Sequence, residues 1–245
     1  MIPVLSALLS IVSAALVALA GHLGSGLLAG VLGLVVVGTA VGWGVLGDLP
    51  DPRGSTISMA LTGVVAVVVA ALAANRSRPL AAFAALVAGA IIVAFAHELV
   101  RGDGRTNLVE SVTGTFAGQL VAILAAGWLL LPPTSFGSGG VVVAATSVIA
   151  ARAVGALPWP ANTRGWLALV AGAGAAFLVA HSAEPTRLSS ATIMGVAVAM
   201  VVAAVDRLLA RQHSSRTWVG LFAAALAPLC VAGTAAYAVA SLLPA

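Results

Sequence analysis

What most constrains this chain is where its charges sit. Its eleven basic and seven acidic residues fall in a few short clusters, and the stretches between them are apolar over about the 17 to 25 residues that carry a helix across a bilayer. With 61% hydrophobic and 7% charged residues, a chain of 245 residues has too little polar side chain to cover a water-soluble globule. Lipid is therefore its expected solvent.

Reading the apolar runs between polar or Pro/Gly interruptions predicts nine helices, over 3–20, 26–47, 57–74, 79–97, 111–131, 138–156, 165–181, 189–208 and 217–242. Eight spans is the alternative, because the short break from Gly21 to Gly26 allows either a tight hairpin or one interrupted segment. In hydrocarbon each orphaned backbone group costs several kcal/mol, so the spans are expected to be helical. The runs lack the period-two alternation of a membrane barrel. The expected fold class is thus all-α, a polytopic transmembrane helix bundle.

Every basic residue is an arginine, dispersed over short connections. That pattern marks the side of a membrane protein retained in the cytoplasm, and no block is dense enough to hold a polyphosphate, so nucleic acid is excluded as a partner. Nine spans put Arg53, Arg101, Arg105, Arg152, Arg164, Arg207, Arg211 and Arg216 on one side and Arg76, Arg78 and Arg187 on the other. The expected location is the plasma (cell inner) membrane, with the N-terminus cytoplasmic and the C-terminus outside. The first segment lacks a basic leader and a cleavage context, so it is read as a retained span. Cys230, the sole cysteine, excludes a disulfide within the chain.

An internal duplication is legible. Leu49-Pro50-Asp51-Pro52 recurs as Leu157-Pro158-Trp159-Pro160, at an offset of 108 residues, with an arginine-glycine pair following each. The polar stretch from His97 to Glu110 matches the one from Asp206 to Arg216, and Leu130 to Pro132 matches Leu242 to Pro244. Gly24-Ser25-Gly26 is set against Gly137-Ser138-Gly139. These landmarks predict a leading helix (1–23) followed by two parallel four-helix repeats, 24–132 and 133–245, within a single membrane domain. The competing explanation is that Leu-Pro pairs end helices wherever they occur.

Six residues carry the candidate chemistry. His97, Glu98 and Arg101 lie in the densest polar segment, where a His beside a Glu suggests proton relay or metal binding. Neighbouring helix positions diverge by about 100°, however, so His97 and Glu98 do not face one site as an i, i+4 pair would. A solvated loop with a local Glu98–Arg101 pair, worth about 0.3 to 0.5 kcal/mol, is the plainer expectation. Glu110 opens a helix, where the macrodipole favours it, and could pair with Arg101 or Arg105 or meet a headgroup. Gln119 is an uncharged polar side chain inside a span, expected to bond between helices or to contact a substrate. Arg152 sits among apolar residues near a helix end, as an interfacial anchor or as an anion-binding or pairing residue. No acidic residue lies clearly inside a span as its partner.

Gly26-x3-Gly30, Gly38-x3-Gly42 and Gly114-x3-Gly118 predict close helix approach. Trp43, Trp128, Trp159, Trp166 and Trp218 stand near predicted span ends and fit an interfacial belt, and Pro228 is expected to kink the last span. A Gly-rich phosphate loop with its Lys, a Ser/His/Asp arrangement and a metal motif are all missing, so no catalytic residue, cofactor or metal is expected and the chain does not read as an enzyme.

The segments 49–55, 98–105 and 108–115, together with the Arg-only, Ala/Val/Gly-rich composition, resemble uncharacterised multi-pass membrane proteins of actinobacteria. The resemblance implies a multi-pass membrane fold and carries over no activity or functional residue. The expected function is a small membrane component, permease-like or handling a lipid or envelope molecule, without nucleotide hydrolysis of its own. The alternative is a non-catalytic accessory or scaffold subunit of a larger membrane complex. Expected partners are membrane lipids, and other membrane subunits or a second copy.

Overall fold

The computed structural model describes residues 2–74, 81–102, 107–131, 139–183, 188–212 and 217–242. Among them the regular structure is helical and no strand occurs. The helices are α1 (Ile2–Leu23), α2 (Ser25–Leu46), α3 (Pro52–Ala73), α4 (Ala81–Val100), α5 (Leu108–Leu124), α6 (Gly140–Gly155), α7 (Ala161–Ala183), α8 (Leu188–Leu209) and α9 (Trp218–Leu242), with a 3-10 segment, Ala125–Leu130, continuing α5. Eight of the nine described helices are long and apolar enough to cross a membrane. The exception, α6, has 16 residues; it reaches only about 24 Å, against about 30 Å of hydrocarbon.

Each expected run is found as a helix, and the boundary errors at the start of α3 and the end of α4 share one cause. Hydropathy stops at the first polar residue, whereas the helix continues through it. Thus α3 starts at Pro52, five residues before the predicted limit, because Asp51 caps it by accepting from the Gly54 amide at 3.1 Å and Pro52 occupies the first turn. Likewise α4 runs on through His97 and Glu98 to Val100. The first two runs are separate helices in contact, broken at Gly24, whose φ of 146° is open to glycine alone.

In the packing, α2 and α9 form the centre. Helices α3, α4 and α5 gather on one side of them, α6, α7 and α8 on the other, and α1 bridges α2, α6 and α9. Lipid is as apolar as the side chains it would replace, so association rests on close van der Waals fit and small residues. At Gly42 an added Cβ would stand 2.5 Å from the Val219 carbonyl oxygen and 2.6 Å from the Ala223 nitrogen. The 3-10 segment is wholly buried, and a Cβ added at Gly127 would stand 2.5 Å from the backbone of Thr234. Of the three glycine spacings, Gly38/Gly42 faces α9 and Gly114/Gly118 faces Leu49 and Trp43. Gly26 and Gly30 meet nothing within 4 Å.

The proposed copies make different inner contacts, α3 packing on both α4 and α5, and α6 on both α7 and α8. Of the residues invoked for the duplication and for the charge asymmetry, Arg76, Arg78, Asp103, Gly104, Arg105, Pro132, Gly137, Ser138, Arg187, Leu243, Pro244 and the stretch 213–216 lie outside the described residues. Two tryptophans depart from the belt expectation. Trp128 is buried and donates its indole N–H to the Leu229 carbonyl at 2.9 Å, beside Pro228 within the uninterrupted α9. Trp43 is half-buried and donates to the Gly114 carbonyl at 2.9 Å. Trp159, Trp166 and Trp218 are exposed, as a belt requires.

Candidate functional site

Contacts between distant segments fix which helix ends share a face. Arg152, at the end of α6, reaches Ser6 near the start of α1; His97, at the end of α4, stands beside Asp51 at the start of α3. Antiparallel succession then gathers the described arginines Arg53, Arg101, Arg152, Arg164, Arg207 and Arg211 on one face. Two polar clusters are built there.

The first joins α3, α4 and α5. Glu98 is buried and accepts from the Ser111 hydroxyl and, at 2.8 Å, from Arg101 Nη1. The Glu98–Arg101 pairing matches the spacing argument, but the expected solvated loop does not: their side chains are only 3% and 4% exposed. Ser111, on the adjoining helix, lets α5 cover the carboxylate. Desolvation therefore raises the stakes of this pair well above a surface bridge. His97 Nε2 lies 3.6 Å from Asp51 Oδ2, and its ring occupies the space left by the missing side chain of Gly54. Although adjacent in sequence, His97 turns toward α3 and Glu98 toward α5, as their angular separation on the helix requires. Asp51, His97, Arg101 and Gly54 line an open depression of about 450 Å³.

The second cluster joins α1, α6, α7 and α8. Arg152 is buried, donating from Nη1 to Asp206 and from Nη2 to Ser6 Oγ at 2.9 Å. Asp206 is thus the acidic partner that hydropathy concealed, because it lies one turn inside the end of α8. Arg164 Nη1 donates to the Gly155 carbonyl at 3.2 Å, and the guanidinium of Arg207 lies on Gly165.

From the first cluster a polar seam descends between α3 and α5. Ser111, Thr115 and Gln119 recur every four residues along one stripe of α5. Across from them, Ser55 Oγ meets Thr115 Oγ1 at 2.9 Å, and Gln119 Nε2 donates to Ser58 Oγ at 2.6 Å and to Thr62 Oγ1 at 3.3 Å. Gln119 is fully buried and its Oε1 has no partner. The seam extends about 12 Å inward from Ser111.

Glu110 is exposed on the first turn of α5, away from this seam. The six residues singled out from sequence are therefore not one site: His97, Glu98 and Arg101 share a cluster, Gln119 ends the seam beneath it, Arg152 belongs to the second cluster, and Glu110 stands apart. Asp51, Ser111, Ser6 and Asp206 were missed. Asp206 had a signal, since it lies 108 residues after Glu98, the offset of the Leu-Pro duplication. Among the described residues no three His, Cys, Asp or Glu side chains converge as metal ligands would. No known family model, curated protein or solved structure matches this chain.

Proposed function

We propose that this multi-pass helical protein is a permease-like component of the plasma membrane that handles a polar or lipid-derived envelope molecule without hydrolysing nucleotide. Its arginine-rich face is cytoplasmic, by the charge bias of the connections. The observation that carries the reading is the α3–α5 seam, which runs from Ser111, in the same cluster as Arg101 of the open depression, to a buried amide with an unpartnered oxygen. An unpaired acceptor in a membrane interior is costly, and a bound donor group would relieve it. Opening the seam requires α3 and α5 to part, and the hydroxyls along it can then hydrate or hold a polar solute.

Accessibility tests this. In a Cys230→Ala background, Ser58→Cys should react with a small membrane-impermeant thiol reagent added from the arginine-rich side of inverted vesicles. Complete protection in vesicles whose Gly102→Cys counterpart labels fully would remove the permease reading.

An accessory or scaffold role is the second reading, favoured by the centre of the bundle. There Gly42 on Val219, Gly127 on Thr234 and buried Trp128 leave α2, α9 and the 3-10 segment closely packed. Gentle-detergent purification separates the two: stoichiometric recovery of other membrane subunits supports the scaffold, and recovery as a lone protein with bound lipid supports the permease.

A further inference from the structure

The cluster at the ends of α6 and α8 and the start of α7 holds more positive charge than its own carboxylate neutralises. Arg152 is bound to Asp206. Arg164 lies against Gly155, whose missing Cβ would stand 3.8 Å from the other Asp206 oxygen; Arg207 lies on Gly165, the next residue of α7. Arg152 and Arg164 thus act on one carboxylate while Arg207 lies on the neighbouring turn of α7, and neither Arg164 nor Arg207 forms an ion pair with a described residue. Arg152 is 7% exposed and its Nε has no partner, so even the buried member retains an unused donor. Arg164 itself lies in the first turn of α7, where a helix N-terminus favours negative charge.

The surroundings narrow the anion further. Trp159 and Trp166, 46% and 72% exposed, flank Arg164 in sequence, and Leu157 is also exposed. Amphipathic indoles at such depth sit at the headgroup level, with acyl chains below and phosphates level with the arginines. We propose that this cluster is a binding site for the phosphate of an anionic membrane phospholipid, gripped by Arg164 and Arg207 while the Arg152–Asp206 pair holds α6 and α8 apart at the right spacing. The site is separate from the α3–α5 seam, so it stands or falls without the permease reading. Basic pockets between transmembrane helices on the cytoplasmic side recognise lipid headgroups by this chemistry.

The test uses purified full-length protein in neutral detergent. Its unfolding temperature is followed during titration with phosphatidylglycerol, with phosphatidylcholine of the same chains, and with inorganic phosphate. Phosphatidylglycerol should raise the unfolding temperature, while phosphatidylcholine and phosphate should not. In Arg164→Gln/Arg207→Gln the concentration needed should rise about twenty-five-fold, at about a factor of five for each arginine near an anionic surface. Arg53→Gln, on the same face but at the other cluster, should leave the titration unchanged. An equal response to phosphatidylcholine or to inorganic phosphate, or an unaltered double variant, overturns the assignment. Should the double variant fail to fold, Arg207→Gln alone, which removes an exposed side chain, is compared with wild type by native mass spectrometry. Retained phosphatidylglycerol must then fall severalfold, and unchanged retention overturns the proposal.

Discussion

Glu98 and Asp206 stand 108 residues apart, the offset that also carries Leu49 to Leu157, and each is ion-paired to an arginine on the same face. Their arginines come from different places. Glu98 takes Arg101 from just past the end of its own helix and a hydroxyl from α5, whereas Asp206 takes Arg152 from α6, which in turn binds Ser6 of α1. The Glu98 contacts join α4 to α5, whereas the chain from Asp206 through Arg152 to Ser6 ties α8 and α6 to α1.

The Glu98–Arg101 pair should be strongly coupled. Removing one partner leaves a desolvated charge, so Glu98→Leu or Arg101→Leu alone should cost about 3 kcal/mol of stability. Glu98→Leu/Arg101→Leu should recover most of that loss, because an apolar pair leaves no charge exposed to a poor solvent. Unfolding of the four proteins of this cycle in detergent gives the coupling. Additive single effects would mean that water reaches the pair and that its burial has been overstated.

For Arg152 the structural and functional readings predict opposite results. As a tie between α6 and α8, Arg152→Ala should lower membrane abundance together with thermal stability, and Arg152→Asp/Asp206→Arg should restore both in part. A substrate-binding arginine would instead lose function at normal abundance, with no rescue by the exchange. Quantitative membrane blots of the single and exchanged variants decide between them.

How far the sequence reached follows from what each inference needed. Helix number came from run length, a local quantity, and the bilayer supplies the ruler. The sorting of Arg53, Arg101, Arg152 and Arg164 to one face followed from alternation alone. What stayed hidden depended on angular position: whether Glu98 points to water or to Ser111, and whether Trp128 meets lipid or the Leu229 carbonyl. Glu98 and Trp128 lie near span ends, where exposed and buried positions alternate within a turn and hydropathy averages over both. Asp206 was hidden for a related reason, since a carboxylate beside Arg207 looks like a solvated helix end until Arg152 is brought to it.

Gln119→Leu separates packing from binding. The variant loses two interhelical hydrogen bonds worth about 0.6 kcal/mol each in a membrane interior. It also removes an unpartnered Oε1, an offsetting gain of about 1 kcal/mol or more. Stability should therefore change little, while any transport or envelope phenotype that needs the amide should disappear. A marked loss of thermal stability would show that Gln119 serves α3–α5 association.

Glycine substitutions should divide by the face they occupy. Gly42→Ala drives a methyl into the backbone of α9, forcing the central pair apart, and should destabilise the protein by about 2 kcal/mol. Gly30→Ala meets open space within the helix and should be neutral or stabilising, by up to about 1 kcal/mol from helix propensity. Thermal unfolding of both variants checks the α2–α9 contact, and equal sensitivity would contradict it.

Topology offers the broadest check, because every argument about the arginine-rich face assumes that α6 brings the chain back across. With 16 residues, α6 is the weakest link. In a Cys230→Ala background, Gly102→Cys and Gln212→Cys report the ends of α4 and α8, and Ala74→Cys reports the opposite end of α3. An impermeant maleimide applied to intact cells should label Ala74→Cys alone, and Gly102→Cys and Gln212→Cys should react only after the membrane is opened. If Gly102→Cys and Gln212→Cys label from opposite sides, α6 does not traverse. In that case the Arg152–Ser6 contact is also lost, since α1 and the end of α6 would no longer share a face.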